Sequence, residues 1–107
     1  MKNEKNKLIM DFICEMIAFY KELVFEQKEF VISKRILKTI MESGACYSNK
    51  RNKETFENII EMEFWLKVLD AMFMRNIEND ENIKILETVE NLIEKSEKIV
   101  SFMEKSL

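Results

Sequence analysis

The chemistry open to this chain is limited first by a side chain it lacks: among its 107 residues there is no histidine. Histidine-based acid–base catalysis, zinc sites with imidazole ligands and the Glu-x-x-His pattern of di-iron bundles are thereby removed. The two cysteines, Cys14 and Cys46, have no Cys or His beside them to complete a metal site. Without a signal peptide they read as reduced thiols of a cytoplasmic protein, with Cys14, set among apolar residues, assigned to the core. One glycine, Gly44, cannot build a phosphate-cradling loop. The carboxylates Glu57, Glu61 and Glu63, or Asp11 and Glu15, would bind a hard cation only if two helices turned them toward one another, and acids at this spacing are ordinarily a solvated helix face. The sequence therefore offers no catalytic residue, no cofactor site and no metal site. It points to a protein that is not an enzyme and works by binding.

Three sets of residues are candidates for that binding. Lys34, Arg35 and Lys38, with Lys50, Arg51 and Lys53 across a turn and Tyr47 beside them, combine phosphate-pairing cations with a ring for stacking, the ingredients of modest nucleic-acid affinity. Glu54, Glu57, Glu61 and Glu63, followed by Glu87, Glu90, Glu94 and Glu97, make an acidic half suited to a basic partner. The net charge of −3 conceals this asymmetry: residues 1–53 hold 11 Lys/Arg against 7 acids, and residues 54–107 hold 6 against 13. The two ends could also complement one another inside the fold. The third set, Phe12, Phe19, Phe64, Trp65, Val68 and Met72, is apolar and suited to self-association into a homo-oligomer.

The elements that must position these residues are helical. There is no proline, 47% of residues are hydrophobic and 35% charged, so the chain is neither disordered nor rich in breakers. The organising stretch is Ile59–Met74. From Phe64 to Met74 only Lys67 and Asp70 interrupt the apolar residues. At 3.6 residues per turn, Met62, Trp65, Leu66, Leu69, Met72 and Phe73 share one stripe, while Ile60, Phe64, Val68 and Ala71 form a second. A helix with two apolar faces needs two sets of partners.

Four helices are expected, over about residues 4–26, 29–42, 52–76 and 80–105. In the first, Ile9, Ile13, Met16, Ile17, Tyr20, Leu23 and Val24 make the main stripe, widened by Leu8, Phe12 and Phe19. That is more apolar surface than an edge helix of a small monomer needs. In the second, Ile32, Ile36, Leu37 and Ile40 turn inward, and Gly44 is expected at the left-handed C′ position that ends the helix after Ser43. Asn52 is expected to cap the third helix. Asn76, Asn79, Asp80 and Asn82 mark the next turn, and Leu86, Val89, Leu92, Ile93, Ser96, Ile99, Val100 and Met103 form the inner stripe of the fourth helix. Short connections imply an all-α, up-down-up-down four-helix bundle in one domain over residues 1–107. Asp11, Glu15, Lys21 and Glu22 interrupt the most apolar part of the first helix, which argues against a membrane span.

Within the organising stretch, Glu61-Met62-Glu63-Phe64-Trp65-Leu66 followed by Val68-Leu69 resembles the Glu-Thr-x-Tyr-Trp-Leu-x-x-Leu signature of the bacterial four-helix bundle proteins. That family is also known from intervening sequences of 23S rRNA genes, and it includes accessory variability proteins of retroelements. Met41-Glu42-Ser43-Gly44-Ala45 is similar to its Leu-Arg-Ser-Gly-Thr segment. The usual Ser-Ile-x-Ala-Asn-Ile that follows is replaced here by Cys46 to Lys50, and the two segments lie closer together. The resemblance implies a non-enzymatic bundle that assembles into a ring-like homo-oligomer and, in some members, binds nucleic acid or a reverse transcriptase.

Two functions are thus expected. One is a binding or scaffold bundle that self-associates and contacts RNA or a nucleic-acid enzyme. The other is a small inhibitor of the kind mobile elements encode, which docks its acidic half on a basic groove of a nucleic-acid-processing enzyme such as a host-defence nuclease.

Overall fold

The computed structural model describes residues 2–75 and 80–105. Four helices follow one another: α1 (Lys2–Phe25), α2 (Ile32–Ser48), α3 (Asn52–Met74) and α4 (Asp80–Glu104), with no strand among the described residues. Each helix packs on its neighbours in chain order and α4 closes on α1, and among the described residues the diagonal pairs show no close backbone approach. This is an up-down-up-down four-helix bundle. Its long dimension of 42 Å is close to the roughly 36 Å of a 24-residue helix, so the helices run along it. Asn76 and Asn79 of the expected α3–α4 turn lie outside the described residues.

The core is one apolar column. Ile9, Phe12, Met16, Phe19 and Leu23 of α1 meet Ile36 and Ile40 of α2, Ile59, Met62, Leu66 and Leu69 of α3, and Ile85, Val89, Leu92 and Ile99 of α4, all buried. The inner stripes of α2 and α4 are those the periodicity predicts, with Ile85 added, and Leu37, Ile93 and Val100 half-buried at the edge. In α1 the stripe is rotated. Phe12 and Phe19 are 0% and 2% exposed at its centre, and Ile17, Met10 and Cys14 face solvent. The two phenylalanines fill more volume than Ile17 does, so the packing takes the larger rings inward. Cys14 is accordingly not a core thiol, whereas Cys46 is buried.

α2 starts later and ends later than its composition suggests. Its start is fixed by Glu29, whose carboxylate accepts the backbone N–H groups of Val31, Ile32 and Ser33 at 3.0, 3.0 and 2.7 Å. The Ser33 hydroxyl donates back to the Glu29 carbonyl. These bonds satisfy amides that the first turn leaves without helical partners. Gly44 does not end the helix. It has no positive φ and the helix runs on to Ser48. The left-handed position is taken by Lys50, φ 59°. The N–H of Arg51 bonds to the Cys46 carbonyl at 2.8 Å and that of Lys50 to the Tyr47 carbonyl at 3.1 Å, the paired bonds of a Schellman ending. Asn52 is likewise not a cap: it is the first residue of α3, after Arg51 in the cap position, which makes no side-chain capping bond.

Candidate functional site

The α2–α3 contact decides which faces remain outside. The Thr39 hydroxyl lies 3.0 Å from the Glu61 carboxylate and 2.8 Å from the Arg35 carbonyl, and the Asn58 amide reaches the Cys46 sulfur. The flank of α3 bearing Asn58 and Glu61 is therefore turned to α2, and the opposite flank is turned to α4. Between them, on the outer side, lies the second apolar stripe. With Thr39 level with Glu61, the first residue of α2, Ile32, falls level with Val68. α2 is 17 residues long and α3 is 23, so the last six residues of α3, about 9 Å of helix, run past it.

Ile60 and Phe64 of that stripe are consequently 41% and 57% exposed, and Met72, on the α2 flank but beyond the end of α2, is 41% exposed. Trp65 and Val68 are half-buried at the edge of the core. The Phe64 ring stands edge-on to Trp65, centroids 5.0 Å apart at 74°, which holds an exposed aromatic in place. Of the six residues expected to mediate self-association, Phe64 and Val68 lie on this outer face and Trp65 and Met72 on the adjoining flank towards α2. Phe12 and Phe19 are enclosed within the chain and cannot contribute. Spacing by four and three residues continues the stripe to Glu57 and Glu61 at one end and Ala71 and Arg75 at the other. Glu57, Glu61, Ala71 and Arg75 are all exposed. Arg75 is absent from the residues expected on sequence grounds, although it extends the same spacing.

The basic residues do not form one patch. Lys34, Arg35 and Lys38 are exposed on the first half of α2, and Lys50, Arg51 and Lys53 are exposed around the α2–α3 turn. Ten residues of helix, about 15 Å, with Met41 and Glu42 exposed on the way, separate Lys38 from the end of α2. Tyr47 is half-buried, packs on the core and donates its hydroxyl hydrogen bond to Asn6 of α1. Burial raises its pKa above the ordinary value, and the ring is tied down rather than presented for stacking.

The acidic residues divide as well. Glu54, Glu57 and Glu61 are exposed on the α2 side and outer side of α3. Glu63 is about 200° round the helix from Glu61, and it is half-buried and paired with Lys67 at 3.5 Å. Glu87, Glu90, Glu94 and Glu97 are all exposed, and their three- and four-residue spacing forms a single row on α4, about 15 Å long. The row on α4 is thus a coherent charged face, and the acids of α3 are not part of it.

A cleft of about 470 Å³ opens between α1 and α4, lined by Glu15, Phe19, Glu22, Asn91, Glu94, Lys95 and Lys98, and bridged by the ion pair of Lys95 with Glu15. Its charges are mixed and partly paired across the cleft. Among the described residues no group of three or more Cys, Asp or Glu is placed to hold a metal ion, and no helix is long and apolar enough to cross a membrane. Comparison with family models, with curated proteins and with solved structures gives no match.

Proposed function

We propose that the chain is a non-catalytic binding bundle whose working surface is the outer face of α3. The observation that supports this most is the exposure of Ile60, Phe64 and Met72 around half-buried Trp65 and Val68. Single exposed apolar residues are common on any protein, but an aligned aromatic and aliphatic face with charged ends is characteristic of protein-binding sites. Phe64, braced by Trp65, has the properties of an anchor residue. The resemblance of Glu61–Leu69 to the bacterial four-helix bundle proteins agrees with a scaffold that assembles. Direct RNA contact draws less support, because the basic residues are divided between two places and Tyr47 is held against α1.

The test is in-cell crosslinking of wild type beside Phe64→Asp, with helix content and unfolding temperature as controls. The reading predicts an unchanged fold and loss of the crosslinked species, whether the partner is a second copy or another protein. Retention of every crosslinked species by the folded variant would remove this face from consideration.

A second reading rests on the α4 row. Glu87, Glu90, Glu94 and Glu97 present four carboxylates along one side of a helix, suited to a basic groove as in the inhibitor reading. Reversal of Glu90 and Glu94 to Lys should then abolish capture of a basic protein while leaving the α3 face intact.

A further inference from the structure

The outer seam of α3 is complementary to itself when reversed. Glu57, Glu61, Phe64, Val68, Ala71 and Arg75 follow one another at intervals of four, three, four, three and four, the spacing that keeps residues in line along a helix–helix contact. Every one of them is exposed except Val68, which is half-buried. About a centre at Leu66 the positions are symmetric in sequence. Phe64 has Val68 as its counterpart, Ile60 has Met72, Glu61 has Ala71 and Glu57 has Arg75. The seam carries an acid at one end, a cation at the other and apolar groups between.

We infer, building on the α3 face as the binding surface, that its partner is a second copy of this chain, packed antiparallel on the outer side of α3 about a two-fold axis level with Leu66. In that register Phe64 of one copy lies beside Val68 of the other, and Glu57 beside Arg75 at both ends. A parallel arrangement would instead set Glu57 on Glu57 and Arg75 on Arg75, and like charges brought together oppose association. The two-fold contact closes on itself, so assembly stops at a dimer. A second exposed apolar row, Met10, Cys14 and Ile17 of α1, lacks this property. Lys7 and Lys21 flank it, both exposed and symmetric about Cys14, so an antiparallel second copy would place lysine on lysine.

The test is light scattering over a concentration series at low salt, where such charge pairs are least screened, on wild type, Glu57→Arg, Arg75→Glu and their mixture. Wild type should rise from 12.9 kDa to twice that mass. Each single variant, carrying two like-charge contacts per dimer, should need a concentration about tenfold higher to associate. An equimolar mixture of the two should associate at least as well as wild type. In that heterodimer the two substituted positions face each other as a cation and an acid at one end, and the native Arg75 of one chain meets the native Glu57 of the other at the opposite end. A wild type that stays monomeric overturns the second copy as partner and leaves the α3 face open to a different protein. A dimer that survives Phe64→Asp overturns the α3 face itself. A dimer lost with Phe64→Asp but indifferent to both charge reversals overturns the antiparallel register.

Discussion

The Thr39 hydroxyl and the Glu61 carboxylate meet at 3.0 Å across the α2–α3 contact, and that pair fixes which side of α3 stays outside. Once Glu61 is turned to α2, residues near a half-turn away face α4, and Phe64 and Val68 are left on the solvent side. The exposure of Ile60 and Phe64 thus follows from helix register, and that of Met72 from the shortness of α2, which begins level with Val68.

The core and the outer face of α3 should respond oppositely to truncation. Phe12 is fully enclosed, so Phe12→Ala is expected to cost about 3–5 kcal/mol of unfolding free energy. Phe64→Ala, at an exposed position, should stay within about 0.5 kcal/mol of wild type. Denaturant melts at low protein concentration check both, and equal costs at the two sites would contradict the orientation of α1 and α3.

Gly44 is a stabilisation site. It sits inside α2 with an ordinary helical φ, and a Cβ built there meets nothing within 4 Å. Gly44→Ala should therefore remove backbone entropy from the unfolded chain at no steric cost and raise stability by about 0.5–1 kcal/mol, read as a higher unfolding temperature. A destabilised variant would mean that the helix breaks at Gly44 after all.

At Lys50 the backbone asks for the residue type expected to end α2 six positions earlier. Its φ of 59° crowds a Cβ against the chain, and Lys50→Gly should gain about 1 kcal/mol by relieving that contact at the Schellman ending. The same melts read the gain, and Gly44→Ala combined with Lys50→Gly should be close to additive.

Ser43 is 0% exposed and its hydroxyl has no hydrogen-bond partner among the described residues. Replacing it with alanine removes an unmet polar group and leaves the apolar contacts, so Ser43→Ala should be neutral to stabilising by about 1 kcal/mol. A loss of more than that would indicate a partner for the hydroxyl.

Tyr47 makes stability depend on pH on the alkaline side. Burial holds its pKa above 10.0, while the unfolded chain ionises at the ordinary value. Above that value the unfolded state loses the proton first, so the stability present below pH 10.0 is lost as pH rises through the folded-state pKa. Unfolding temperatures of wild type and Tyr47→Phe measured on both sides of that pH should differ by a constant below it, and wild type should lose stability relative to the variant above it. A constant difference throughout would show that Tyr47 does not titrate between the two states.

The bundle itself is legible in the sequence because the inner stripes of α2 and α4 are narrow and strictly periodic. α1 and α3 are harder to orient. Each is apolar on more than half its circumference, so periodicity alone cannot choose between Ile17 and Phe12 for the core of α1. Side-chain volume makes that choice, and it removes two of the six residues expected at the self-association face. Glycine is a frequent helix terminator, yet α2 passes through Gly44, because the turn after Ser48 is closed by backbone bonds from Lys50 and Arg51 whatever their side chains. The basic and acidic sets are neighbours in sequence, and helix geometry separates them: Glu61 and Glu63 differ by two positions and face different neighbours.

Whether the outer face of α3 is covered when the protein works can be read side chain by side chain by hydroxyl-radical footprinting in the cells that make it. Met41, 66% exposed on α2, and Met10 on α1 serve as internal references. Phe64, Trp65 and Met72 should be protected relative to dilute purified protein while Met41 and Met10 stay reactive. Equal reactivity of Met72 and Met41 under both conditions would contradict a working surface on α3.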